Sequence, residues 1–235
     1  MPPTLHEHLH STILPQYDAF TDGHDRSHVD MVLRESLYLA RKYGADEDML
    51  SVAAAFHDLG MPQGRKTHHL TSARLFLADP VMPQFFTDAQ RTVIAEAIED
   101  HRASAGSPPR SLCGRILADA DHFIVPEDIL RRTLLYGKTN FPALTPEEHI
   151  ARVRQHLQEK FLSGGYLRFW LNDPRSLAGL DALRALAADE PPPARRLRKI
   201  PLTPTKDPPP DKTRTASPTP GFPSRVHLEG RSPGA

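Results

Sequence analysis

Histidine and aspartate side chains occupy positions where the helical periodicity of the sequence favours apolar ones. His28 lies one turn before a valine, and Asp121 lies one turn after a leucine. His57 and His101 each follow a stripe of leucine, isoleucine or alanine residues. Asp58 is the neighbour of His57 and lies about 100° further round the helix, so both side chains can reach one point between helices. The pattern predicts a cluster of imidazoles and carboxylates inside a helical fold.

Such a cluster requires a compensating charge. A buried histidine costs little when it is hydrogen-bonded, but a buried carboxylate is costly unless a cation or a donor compensates it. A divalent metal ion supplies that charge in other helical bundles whose ligands project inward. Imidazole and carboxylate ligands without a thiolate favour Mn, Fe, Mg, Zn, Co or Ni. A single histidine of this kind is more often a core or surface residue, so the prediction depends on the joint pattern.

Three segments of the sequence resemble the motifs of the HD superfamily of metal-dependent phosphohydrolases. Residues 53–60 read A-x-x-x-H-D-x-G and look like the family's A-x-L-H-D-I-G. Residues 23–28 resemble the start of the family's first motif helix, and residues 118–123 resemble its D-A-D-R-L segment, whose second aspartate is a ligand. The resemblance covers about residues 20–125. It implies an all-α fold, a bound divalent metal, and hydrolysis of a phosphomonoester or phosphodiester.

The same resemblance implies roles for individual residues. It implies one metal site with the ligands His28, His57, Asp58 and Asp121. Some members of the family hold a second ion on two further histidines. His101, at the end of an I-x-x-H segment, matches one of them. His68 matches the other by its offset from a serine–alanine pair, and His69 remains the alternative. Asp58 would then bridge the two ions and act as the catalytic residue that handles the proton.

The loop after the His57–Asp58 pair suggests how a substrate is held. Arg65 and Lys66 lie in this loop and are predicted to contact a substrate phosphate, although basic loop residues are often merely solvated. The G-Y-P companion segment of cyclic-dinucleotide phosphodiesterases is absent from the sequence. The first hypothesis is therefore hydrolysis of a small phosphorylated metabolite, with a nucleotide as the leading candidate. The alternatives are a di-iron HD-type oxygenase and a non-catalytic nucleotide-binding sensor.

Amphipathic helices are predicted around all of these residues. The evidence is apolar stripes at helical spacing, capping boxes, and glycine or proline at the ends. The predicted helices cover Arg26–Tyr43, a stretch from about Asp46 to Gly60, Thr67–Ala78, a stretch beginning at Thr87, Ser111–Ile124, and stretches beginning at Pro126, Thr145 and near Leu177. The alternating histidines at positions 6, 8 and 10 suggest a frayed terminus. Alternating strand patterns are absent, so the predicted fold is a compact all-α bundle of the HD type.

Composition limits the domain organisation and the partners. Residues 1–189 are predicted to form one helical domain. Residues 190–235 contain 12 of the 24 prolines and nine Lys/Arg against four Asp/Glu, which predicts a disordered basic tail. The formal net charge is zero and no apolar run has membrane-spanning length, so we expect neither a nucleic-acid nor a membrane partner. The single Cys113 and the lack of a signal-peptide pattern favour the cytoplasm. The oligomeric state is left open.

Overall fold

The computed structural model of the protein describes residues 3–20, 24–102 and 106–188. Within these ranges all regular structure is helical, which confirms the predicted all-α fold. The α-helices are α1 (Leu5–His8), α2 (Arg26–Tyr43), α3 (Glu47–Phe56), α4 (His68–Ala78), α5 (Asp88–Asp100), α6 (Leu112–Asp121), α7 (Pro126–Asn140), α8 (Pro146–Lys160) and α9 (Pro174–Ala188). A π-helical turn (Leu9–Ile13) and three 3-10 helices (Leu14–Ala19, Met61–Gln63 and Met82–Gln84) lie between them. The predicted disordered tail, residues 190–235, lies outside the described residues.

The helix bounds follow the capping signals of the sequence. Thr87 and Thr145 each accept a hydrogen bond from the backbone N–H three residues later, and the glutamine or glutamate there bonds back to the backbone of the threonine. Helix α2 ends at Gly44, whose φ of 70° lies in the left-handed region that favours glycine. The helix that was predicted to reach Ile124 stops at Asp121. This earlier end places the aspartate in the last turn of α6.

The N-terminal segment is packed, although its alternating histidines suggested a frayed terminus. Nε2 of His8 lies 2.8 Å from Oδ2 of Asp79, and the His8 side chain is buried. The buried apolar residues that follow are Leu9, Ile13, Leu14 and Tyr17. Burying a large apolar side chain stabilises a fold by roughly 1.5–3 kcal/mol. Four such side chains outweigh the usual tendency of a chain end to fray.

Two apolar clusters hold the helices together. The larger cluster joins α2 to α6 with the N-terminal segment, and among its fully buried side chains are Leu14, Tyr17, Leu50, Phe56, Phe76, Met82, Ile94, Ile98, Ile116 and Leu117. The smaller cluster joins α7, α8 and α9 through Leu130, Leu134, Val153, Leu157, Leu180 and Leu183. None of the helices in the described ranges has the length and apolar composition needed to cross a bilayer.

Buried Asp119 fixes the segment that leads into α9. Its two carboxylate oxygens accept hydrogen bonds from the backbone N–H groups of Trp170, at 2.8 Å, and Leu171, at 2.9 Å. Burial raises the pKa of Asp119 to about 6, and the two hydrogen bonds oppose that rise only in part. Nearby, Nζ of Lys42 lies 2.6 Å from Oδ2 of Asp173. Asp119 therefore stabilises the chain path, and its bonds lie away from the predicted site.

Gly60, the last residue of the A-x-x-x-H-D-x-G segment, allows α4 to pack closely against the turn that follows α3. Its backbone N–H donates to Oγ of Ser72 at 2.9 Å. A Cβ atom at this position would lie 2.8 Å from Cβ of Thr71 and 2.9 Å from the backbone nitrogen of Ser72, and it would collide with the carbonyl oxygen of His68. Since these contacts are mainly with backbone, α4 would have to move. His68 begins α4 and would move with it.

We expect the Gly60→Ala substitution to lower the free energy of unfolding by about 1–3 kcal/mol, because it overpacks a close helix contact. Urea unfolding followed by circular dichroism measures this change. The matched control is Arg74→Ala, which alters an exposed residue of α4 and should change the free energy of unfolding by less than about 0.5 kcal/mol. Equal stability of the two variants would show that α4 does not depend on a close approach at Gly60.

Candidate metal centre

The ends of five helices converge on one region of the protein. His28 lies in the first turn of α2, and His68 is the first residue of α4. His57 follows the last residue of α3, His101 follows the last residue of α5, and Asp121 is the last residue of α6. Three of these ends are helix C-termini, whose carbonyl groups carry partial negative charge and favour a nearby cation.

Asp58 lies at the middle of this cluster, with a different pair of imidazoles beside each oxygen. Its Oδ2 atom is 3.2 Å from Nε2 of His57 and 3.5 Å from Nε2 of His28. Its Oδ1 atom is 3.3 Å from Nε2 of His68 and 3.7 Å from Nε2 of His101. The carboxylate therefore lies between two groups of imidazoles, and its role as a bridge between two ions remains a prediction.

The ligand atoms divide into two subsites that share Asp58. The first subsite consists of His28, His57 and Asp121 with Oδ2 of Asp58, and Oδ1 of Asp121 lies 3.1 Å from Nε2 of His28 and 3.8 Å from Nε2 of His57. The second subsite consists of His68 and His101 with Oδ1 of Asp58. The structure thus brings all six predicted ligands together. Of the two histidines at the start of α4, it brings His68 into the cluster and leaves His69 outside.

Three imidazoles are oriented as metal ligands require. The Nδ1 atoms of His57, His68 and His101 each lie 2.6–2.7 Å from the backbone carbonyl oxygen three residues earlier. Each Nδ1 donates its proton there, so Nε2 of the neutral ring presents a lone pair to the cluster. Nε2 of His68 and Nε2 of His101 are only 3.1 Å apart, and two lone pairs at that distance repel unless a cation lies between them. Adjacent octahedral ligands bound at about 2.1 Å lie about 3.0 Å apart. The donor set therefore fits a divalent metal ion.

Protonation offsets the carboxylates when no metal ion is bound. Burial lowers the pKa of His57, but Asp58 and Asp121 outweigh burial and raise it to about 9. Burial raises the pKa of Asp58, but the imidazoles of His57 and His24 hold it well below its usual range. A metal ion must displace the proton of His57, because only the deprotonated nitrogen is a ligand.

Asp58 is positioned by two residues that the sequence analysis did not single out. The hydroxyl of Tyr17 donates to the carbonyl oxygen of Ala55 at 3.0 Å and accepts from the backbone N–H of Asp58 at 3.2 Å. His24 places Nδ1 2.7 Å from Oδ2 of Asp58, and Arg65 donates to Nε2 of His24 at 3.1 Å. Tyr17 comes from the N-terminal segment and His24 from the turn before α2, so neither belongs to an apolar stripe beside the motif.

A cavity of about 370 Å³ lies beside the first subsite. Asp121 and His24 line one side of it, and α7 and α8 form the other side. The cationic side chains in its lining are Arg65, Arg132, Arg152 and Lys160. Arg132 reaches furthest toward the metal centre, with one guanidinium nitrogen 3.3 Å from Nδ1 of His28. A site of this size is suited to a small molecule.

The structure places the two predicted substrate-binding residues differently. Arg65 lines the cavity, and its guanidinium lies 5.5 Å from the centre of the Tyr136 ring. Lys66 is exposed, its carbonyl oxygen accepts from Arg102, and its side chain is not part of the cavity lining. The substrate-binding roles of both residues remain predictions.

Comparisons with known proteins agree with this geometry. Residues 26–124 match the family model of the HD domain. No curated protein matches the chain. A crystal structure of a predicted HD superfamily hydrolase from an uncultured Thermotogales bacterium is 22% identical, covers 78% of this chain and 86% of its own, and has a TM-score of 0.48. A crystal structure of a Lactobacillus plantarum protein is 21% identical, covers 80% of this chain and 95% of its own, and has a TM-score of 0.55.

The second of these structures supports the helical fold, and the family model coincides with the helices that carry the cluster. The matched range begins with α2 and ends just after α6, so it includes all six predicted ligands. Residues 26–124 are therefore similar to the HD domain, in the part of the chain that carries the predicted ligands.

Proposed function

We propose that the protein is a metal-dependent phosphohydrolase that acts on a small phosphorylated molecule, with a nucleotide as the first candidate. The observation that carries this proposal is the position of Asp58, between two pairs of imidazoles and beside a cavity lined with cationic side chains. Imidazole and carboxylate ligands suit Mn, Fe, Mg, Zn, Co or Ni. The two subsites support the binding of two ions, which share Asp58.

The bound ions would polarise a phosphoryl oxygen and make a water molecule acidic enough to attack. The side chains of the protein would do the rest. Asp58 or a nearby histidine would handle the proton, and His24 holds Oδ2 of Asp58 from the cavity side at 2.7 Å. Arg132 lies next to His28 and lines the cavity, where it is placed to neutralise negative charge on the substrate. Tyr17 fixes the backbone of Asp58, so the carboxylate keeps its bridging position.

The first test concerns metal binding. We expect Asp58→Ala to lower metal affinity by more than about 100-fold and to abolish turnover. Loss of a residue that only supports a ligand lowers metal affinity about 10–100-fold, and loss of the ligand itself should lower it further. Metal content after dialysis, measured by plasma mass spectrometry, gives the result. The matched control is Asp30→Ala, which removes an exposed carboxylate from α2. A metal content for Asp58→Ala equal to that of the control would contradict the proposed site.

The second test concerns the number of ions. We expect two ions per chain in the reconstituted protein and one in His101→Ala, because that substitution removes a ligand of the second subsite only. Manganese reconstitution gives the ratio by mass spectrometry, and electron paramagnetic resonance reports the coupling between two nearby ions. If the unaltered protein binds one ion and His101→Ala has no effect, the site reduces to the first subsite with Asp58.

The third test concerns the reaction. We expect the metal-loaded protein to release phosphate or a phosphorylated product from members of a panel of nucleotides and sugar phosphates. If Arg65 binds phosphate equally in ground and transition states, Arg65→Ala should raise KM about tenfold with little change in kcat. Arg65 should also account for most of the effect of a double Arg65→Ala, Lys66→Ala variant, because Arg65 lines the cavity.

Two results of the same panel would reject phosphohydrolysis. An inert protein that consumes oxygen with an organic substrate would be a di-iron oxygenase. An inert protein that binds nucleotides tightly would be a sensor.

A further inference from the structure

The cationic side chains of the cavity form no salt bridge with a carboxylate in the part of the chain that the structure describes. Arg65 contacts His24 and the Tyr136 ring, and Arg132 contacts His28. The Lys160 ammonium lies over the Phe161 ring, 5.1 Å from its centre. Among the described residues, no carboxylate forms a salt bridge with any of the cavity's four cations.

Some cations elsewhere on the protein behave differently. Arg41 pairs with Glu47 at 2.7 Å, and Arg110 pairs with Glu99 at 2.6 Å. Among the described residues some exposed cations, such as Arg74 and Arg154, also lack a salt bridge, but the cavity differs in bringing four such side chains to one place.

Arg152 is held in the cavity wall by packing. Its guanidinium donates to the carbonyl oxygen of Thr133 and lies over the rings of Tyr136, at 5.4 Å, and Phe141, at 5.7 Å. Gly137 makes room for it, since a Cβ there would lie 2.7 Å from Nε of Arg152. Nε has no hydrogen-bond partner, and neither has Nδ1 of His122, another residue of the lining. Buried polar atoms without partners are rare and are expected to find one in a ligand or in water.

The neutral residues of the lining do not reduce the positive charge. Burial lowers the pKa of His156 to about 4, so this ring is uncharged at neutral pH. Burial also lowers the pKa of Lys160, to about 8, which leaves its ammonium mostly charged at pH 7. Asp121 is the one carboxylate in the lining, and it belongs to the first subsite. Four cations thus line one open cavity and repel each other until an anion enters.

A single phosphate group does not provide enough negative charge. If two divalent ions bind, as the proposed function holds, they exceed the charge of Asp58 and Asp121 by about two units. A phosphate group carries about −1.5 to −2 at neutral pH, so the metal centre alone can balance the group that reacts. The cavity cations would still carry an excess of positive charge. Further phosphate groups of the same substrate would supply part of the counter-charge.

We propose that the substrate is an oligophosphate, and that Arg132, Arg152 and Lys160 bind the phosphate groups that do not react. This inference rests on the proposed function and narrows its substrate class. The recognition is by charge and by guanidinium and ammonium donors. The rings of Phe123 and Tyr166 also line the cavity and are available to pack against an organic part of the molecule.

The experiment compares the binding of inorganic tripolyphosphate with that of orthophosphate to the metal-loaded full-length chain, by titration calorimetry. Metal content is checked after each titration so that chelation is not counted as binding. We expect tripolyphosphate to bind at least about tenfold more tightly than orthophosphate. Lys160→Met should lower the affinity for tripolyphosphate about tenfold and leave the affinity for orthophosphate nearly unchanged. The matched control is Arg154→Met, which removes a cation from the exposed side of the same helix and should change neither affinity.

Lys160→Met retains most of the aliphatic stem, and a thermal melt verifies that it folds. Arg132→Met provides a second variant with the same expected loss. Equal affinities for the two anions, or equal behaviour of Lys160→Met and Arg154→Met, would overturn the inference. Kinetics with a nucleoside mono-, di- and triphosphate series then distinguish an organic oligophosphate from an inorganic one. Only an organic oligophosphate gains affinity from contact with the aromatic rings that line the cavity.

The two proposals fail in different ways. Tripolyphosphate binding that depends on Lys160, without hydrolysis of any phosphoester or phosphoanhydride, would keep the oligophosphate site and reject the phosphohydrolase. Hydrolysis of monophosphates with the same kcat/KM as di- and triphosphates would keep the phosphohydrolase and reject the oligophosphate site.

Discussion

The structure depends on one buried carboxylate. Asp58 is 2% exposed, and a carboxylate at that depth is stable only if positive charge and hydrogen bonds surround it. Five imidazoles approach its two oxygens. Four of them come from different helix ends, and His24 comes from the turn before α2. The packing of the five helices α2 through α6 is therefore constrained twice, by the apolar cluster that they share and by the common point that their ends must reach. The hydroxyl of Tyr17 extends this constraint to the N-terminal segment.

Much of this arrangement could be predicted from the sequence, because the signals are local. Capping residues indicated the starts of several helices, and polar residues on or beside apolar stripes indicated five of the six predicted ligands. The family resemblance added His68, with His69 as the alternative. The contributions of Tyr17 and His24 could not be predicted, since they depend on which segments meet in three dimensions. Lys160 is an intermediate case. It lies three residues after Leu157 on the stripe of α8, so the argument that singled out the histidines applied to it as well.

Chemistry and recognition come from different stretches of the chain. The ligands lie within the range that matches the HD family model, and that range ends at residue 124. Arg132, Arg152 and Lys160 lie beyond it, on helices whose apolar cluster is separate from that of α2 to α6. Motif spacing constrains the first set of residues, but nothing in the motifs constrains the second. A family resemblance can thus indicate the reaction of this protein while leaving the identity of its substrate to α7 and α8.

The location of the ligands at helix ends has a consequence for insertions and deletions. Helix ends and the loops beyond them are usually where a protein tolerates a change in length. Here, deleting one residue from the last turn of α3 would rotate His57 by about 100° and shift it by about 1.5 Å along the axis. The hydrophobic core would remain intact, but the imidazole would no longer face Asp58. The regions that are most permissive in an ordinary helical bundle are therefore the least permissive in this one.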